Sequence, residues 1–127
     1  MSKKVVYNKL VRDKMVDIWD ADKISGHVYD DISFKYINKS EILDKLKDKL
    51  SEETKEVMEA YDEEDKTHLK EELGDLIEVI DAILFHNNIS LGEVLKMREE
   101  KKEKRGGFEK GLYLEWVDYK DGYNTKA

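Results

Sequence analysis

Between Ser40 and Leu84 the chain repeats its apolar residues at helical spacing twice, with only a short polar break between the runs. The first stripe is Ile42, Leu43, Leu46, Leu50, Val57 and Tyr61, and the second is Leu69, Leu73, Leu76, Ile77, Ile80, Ile83 and Leu84. Residues three and four apart share one face of a helix, so each run predicts a long helix with a single apolar side. Ser40 is the expected N-cap of the first, which runs to about Tyr61. Asp62 to Lys66 makes the break, Thr67 caps the second, and Asn87 and Asn88, which tolerate left-handed backbone, end it. No proline interrupts either run.

The flanks predict smaller pieces. Val5 to Leu10 reads as extended and Arg12 to Trp19 as a short helix. Ser90, with Glu93 at the capping-box position, starts a third helix that reaches about Lys104 before Gly106 and Gly107 break the chain. His27 to Ile37 and Gly111 to Val117 alternate well enough for strands and are the expected halves of a small β-hairpin. The fold class is therefore mainly all-α, a bundle of two long and one or two shorter helices with that hairpin as an addition. Residues 1–127 are expected to form a single domain, with the tail 118–127 loose.

Charged residues make up 42% of the chain and hydrophobic ones 39%, the balance of a short bundle with charged outer faces. With no cysteine, disulfides, thiolate metal sites and thiol nucleophiles are excluded. No apolar run is long enough to cross a membrane, and MSKKVVYNKL lacks the apolar core of a signal peptide, so a cytoplasmic protein is expected. The net charge of -7 argues against nucleic acid as a partner. It is unevenly spread: Glu41 to Asp75 holds 14 acidic and 6 basic residues, whereas Met1 to Lys14 balances to +4 and Lys96 to Lys110 to +3. An acidic middle between basic ends suits a cation held centrally and an anionic ligand gripped by the flanks. A solvated acidic helix balanced by surface lysines is the plainer alternative.

Within the acidic middle, two pairs stand at i, i+3: Glu53 with Glu56, and Glu72 with Asp75. On a helical wheel Glu53 lies only about 20° from Leu46, and Glu56 about 60° from Glu53 toward the edge of the same stripe. Glu72 lies about 40° from Leu76, and Asp75 about 40° from Val79. All four border the face that should be buried, where an unpaired carboxylate costs several kcal/mol or shifts its pKa. If the helices pack side by side, four carboxylates converge, and a hard cation, Mg²⁺ or Mn²⁺, relieves their repulsion. Gly74, costly inside a helix by roughly 1 kcal/mol, predicts a close backbone approach at this level.

The pattern Glu52-Glu53-x-x-Glu56, fifteen residues, then Glu72-x-x-Asp75 resembles the EExxE…ExxD signature of the MazG-like all-α nucleoside triphosphate pyrophosphohydrolases. Lys9 to Lys14 is similar to the KLVRDK opening of their phosphoribosyl-ATP pyrophosphohydrolase-like branch, and Arg105 to Phe108 to its closing RGGF. The resemblance covers about Tyr7 to Phe108. It implies Mg²⁺-dependent cleavage of a nucleoside triphosphate between the α- and β-phosphates, giving monophosphate and pyrophosphate. It further implies that Glu53, Glu56, Glu72 and Asp75 hold the metal and that Glu52 takes the proton of the attacking water. Lys9, Arg12, Lys14, Lys102 and Arg105 become phosphate-binding candidates, since arginine grips phosphate bidentately and lysine supplies a point charge.

Such proteins form homodimers or homotetramers, and an oligomer of this kind is expected. Phosphoribosyl-ATP hydrolysis is the second enzymatic reading. A non-catalytic helical interaction module is the third. His27, His68 and His86 lack metal-ligand spacing and read as surface or half-buried residues. Glu78 and Asp81, further along the second helix, are candidates for a second metal.

Overall fold

The computed structural model describes residues 3–24 and 31–123, which contain four helices and no strand: α1 Met15–Ile24, α2 Lys39–Asp62, α3 Lys66–His86 and α4 Leu91–Arg105. The chain divides into two compact units, Met1–Leu91 and Gly92–Ala127.

In the first unit, α2 and α3 pack against each other. Both start two residues earlier than expected, and for the same reason. Asn38 is extended at φ -78° and ψ 170°, and its side chain accepts from the Glu41 N–H at 2.9 Å, so it caps α2 in place of Ser40. Asp65 accepts from the N–H groups of Thr67 and His68 at 3.1 Å each and caps α3 in place of Thr67. Between the helices Glu64 takes φ 56°, reversing the chain within three residues, so that α2 and α3 run antiparallel. Asn87 ends α3 as expected, its backbone N–H and side-chain amide both donating to the Ile83 carbonyl, with Asn88 in the left-handed region at φ 55°.

Leu46, Glu53 and Ala60, spaced seven apart on α2, are buried, as are Val79 and Leu84 on α3. The core is thus a narrow seam with a carboxylate in its middle. Leu73, Ile77 and Ile80 form an apolar stripe on α3 that stays exposed. Among the described residues nothing closely approaches Gly74: a Cβ built there meets nothing within 4 Å.

The segment before α1 turns at Arg12, whose carbonyl accepts from the Met15 N–H at 3.0 Å, so the short helix starts at Met15 rather than Arg12. Trp19 on α1 meets Phe34 with ring centroids 5.6 Å apart. The expected hairpin does not form among the described residues. Residues 31–37 and 111–117 are irregular and have no ladder partner, and 27–30 lie outside the described residues. Alternating apolar residues alone do not make a strand, because its backbone groups need a neighbour to bond.

In the second unit α4 carries no buried residue and ends with Lys102, Lys104 and Arg105 in its last turn. Gly106 at φ 83° stops it, donating to the Lys102 carbonyl at 2.7 Å. Residues 118–123 are exposed, with a turn closed by the Tyr123 N–H on the Lys120 carbonyl, and the rest of the tail lies outside the described residues. Among the described residues no helix is long and apolar enough to cross a membrane.

Candidate metal centre

Glu53 is the centre of the site. It continues the seam of Leu46 and Ala60, and packing of α3 over that seam leaves it only 6% exposed. Two overlapping groups meet at it. Glu53, Glu72 and Asp75 each offer a carboxylate oxygen, all within 4.8 Å of one another, and so do Glu52, Glu53 and Glu56. The four acids expected to converge thus fall in two groups that share Glu53: Glu56 lies with Glu52 in one, and Glu72 with Asp75 in the other. Glu78 and Asp81 are exposed and belong to neither group.

Two oxygens in the cluster, Glu53 Oε2 and Glu72 Oε2, are buried without a hydrogen-bond partner among the described residues. Burial, then the adjacent Glu56 carboxylate and more weakly Asp75, push the Glu53 carboxyl up to about 7, against an opposing pull from Lys49. Burial and Glu56 raise Glu72 in the same direction, opposed by its bond to His68. Acids that resist ionisation because they crowd one another are what a divalent cation relieves. Oxygens that all lie within 4.8 Å of one another are near enough to share one ion, since a Mg²⁺ coordination sphere is about 4 Å across. The donor set is all carboxylate oxygen, which suits a hard ion rather than zinc or copper. The residues present fit the group.

Glu52 sits differently. Burial raises its carboxyl, but Lys49 and Lys9 more than offset this and hold it below the ordinary carboxylate value. Lys9 Nζ lies 3.3 Å from Glu52 Oε1 and Lys49 Nζ 3.4 Å from its Oε2. Lys49 also stands 3.8 Å from Glu53. Of the phosphate candidates, Lys9 and Arg12 are thus brought onto the acidic site itself, Arg12 Nη2 standing 2.7 Å from Asp75 Oδ1. Lys14 is exposed in the turn before α1, and Lys102 and Arg105 are exposed in the second unit.

Two neighbours escaped the sequence reading. Lys49 stands three residues before Glu52 and four before Glu53, a spacing that pairs side chains on a helix and was available as a signal. His68 stands four before Glu72. Its Nε2 lies 3.2 Å from Glu72 Oε1, and its Nδ1 lies 2.9 Å from Glu63 Oε2 across the α2–α3 turn. Those two carboxylates raise its pKa, Glu63 first, against a smaller effect of burial.

An antiparallel helical hairpin with carboxylates of both helices gathered about Glu53 is an arrangement that could hold a divalent cation. A family model, the MazG nucleotide pyrophosphohydrolase domain, matches residues 42–107, just over half of the 127. The chain belongs to that family, and a nucleotide substrate follows from membership. Searches of curated proteins and of solved structures return no match to it.

Proposed function

We propose that the protein hydrolyses a nucleoside triphosphate between the α- and β-phosphates, releasing nucleoside monophosphate and pyrophosphate, with Mg²⁺ or Mn²⁺ held by Glu53, Glu56, Glu72 and Asp75. The observation that carries this is Glu53, buried and shared by two carboxylate groups, with one oxygen lacking a hydrogen-bond partner among the described residues. Bound there, a divalent ion offsets phosphate charge and orients the displacement.

The chain's own residues divide the remaining work. Glu52, kept ionised by its two lysines, accepts the proton of the attacking water. Lys9 and Arg12 change partners: Asp75 turns to the cation and frees Arg12 for a phosphate oxygen, and Lys9 leaves Glu52 in the same way, uncovering the base as it engages substrate. Lys14, Lys102 and Arg105 take the same phosphate-binding role, a reading supported by the KLVRDK and RGGF motifs. Residues 1–127 act as one domain, in line with a family match that runs through both units. The exposed Leu73, Ile77 and Ile80 stripe supports a homodimer or homotetramer that covers it. A free nucleotide substrate suits a cytoplasmic protein without nucleic-acid or membrane partners.

The test is pyrophosphate release, with Mg²⁺, from a panel of canonical, oxidised and deaminated (d)NTPs together with phosphoribosyl-ATP, beside E53Q and D75N. Turnover of a triphosphate by the wild type and its loss in both variants support the proposal. An inactive wild type, or variants of full activity, contradict it.

A further inference from the structure

The turn between α2 and α3 carries a side-chain relay that leads into the acidic cluster. Asp65 caps α3 and accepts from the His68 N–H, which sets His68 in the first turn of the helix. Glu63, at the end of α2, is brought back by the left-handed backbone of Glu64 until its Oε2 lies 2.9 Å from His68 Nδ1. The other ring nitrogen, Nε2, faces Glu72 Oε1 at 3.2 Å, one helical turn further on. An ionised Glu72 accepts from the ring when Nε2 carries the proton, and the geometry at Nε2 suits that donor.

Glu72 is thereby divided. Its Oε1 is tied to the imidazole, while Oε2 is buried without a partner among the described residues, in a residue with a carboxylate oxygen within 4.8 Å of those of Glu53 and Asp75. A free glutamate side chain would rotate to bring both oxygens to water. Here one donor fixes the rotation and leaves the other oxygen to the cluster. Outer hydrogen bonds of this kind orient ligating carboxylates and are worth about 10- to 100-fold in metal affinity.

From this geometry we infer that His68, anchored by Glu63, is a positioning residue that presents Glu72 Oε2 to the divalent cation. The inference rests on the metal site proposed above and adds a residue that the acidic signature does not contain. His68 touches no other member of the cluster among the bonds described, so its action passes through Glu72. It requires the donor at the Nε2 position. Glutamine places an amide N–H near that position, whereas asparagine places one near Nδ1 and cannot reach Glu72.

Mn²⁺ dissociation constants of the full chain, by electron paramagnetic resonance or calorimetry, test this on wild type, H68Q, H68N and H68F. Thermal melts without metal are taken alongside to check that each variant folds. The half-exposed His68 side chain makes misfolding of all three unexpected. H68Q should stay within about threefold of wild type, while H68N and H68F lose about tenfold or more. H68N binding Mn²⁺ like wild type overturns the inference, and so does H68Q weakening as much as H68N, since lost charge rather than a lost donor would then be at work. A wild type that binds no Mn²⁺ overturns the metal site itself, which separates the two failures.

Discussion

Arg12 Nη2 lies 2.7 Å from Asp75 Oδ1, joining the N-terminal segment to the middle of α3 across 63 positions of sequence. The pair is exposed, with 60% of the arginine side chain and 41% of the aspartate side chain open to water, so its worth to stability is at most about 1 kcal/mol. Its consequence is for the site: the same guanidinium that suits a phosphate holds an acid that suits the cation. R12A should lower metal-free stability by less than about 1 kcal/mol in urea titration. It should also tighten Mn²⁺ binding about two- to fivefold, because a competitor for Asp75 is gone. The KM for the nucleotide should rise. Weaker Mn²⁺ binding in R12A would mean that the arginine supports the site rather than competing for it.

The acidity of the cluster sets a pH dependence. The Glu53 carboxyl is raised from 4.5 to about 7, so the folded protein holds that proton more tightly than the unfolded chain does. The stability this contributes is present at low pH and is lost as pH rises through about 7. Glu72 and His68 are raised too and act with the same sign. Glu52 is lowered, and its contribution, lost only in acid, stays constant across this window. Metal-free protein should therefore unfold at lower urea at about pH 8 than at about pH 5, while the stabilisation added by Mg²⁺ grows over the same range as protons cease to compete. A metal-free protein that gains stability toward pH 8 contradicts the crowded-acid account.

Much of this site could be read from the chain because one periodicity carried it. Glu53 repeats the position of Leu46 seven residues on, so burial of the leucine foretold burial of the acid. The ends of the helices were less legible, since Asn38 and Ser40, like Asp65 and Thr67, are competing caps two residues apart. The backbone conformation of Asn38 and Asp65 decides between them. What lay beyond local pattern is the tertiary pairing. Arg12 meets Asp75 from a segment with no periodicity of its own, and His68 meets Glu63 only through the left-handed turn at Glu64. The close approach expected at Gly74 is not met within the described residues of the single chain, because α2 and α3 pack along another face of the helix.

That glycine supplies a test of assembly. A Cβ at Gly74 meets nothing within 4 Å in the single chain, so G74A should stabilise α3 by roughly 1 kcal/mol through helix propensity alone. A second copy packed against this point would reverse the sign. Melting temperature and sedimentation of G74A together decide: a more stable protein of unchanged oligomeric state places Gly74 away from any subunit contact. Destabilisation or dissociation places it in one.

Leu46 probes the seam itself. It is 5% exposed, and truncating a buried leucine to alanine costs about 2–5 kcal/mol. L46A should lose that stability in urea titration, and a loss below about 1 kcal/mol would show that the seam collapses around the gap.

The most direct measurement is the melting temperature of wild type and E53Q with and without Mn²⁺. Glu53 is buried with an oxygen that lacks a partner among the described residues, so neutralising it should raise the melting temperature of the metal-free protein. The metal should raise that of the wild type and leave E53Q unmoved. A wild type indifferent to Mn²⁺, or an E53Q shifted by it as far as the wild type, would contradict the claim that these carboxylates form one cation site.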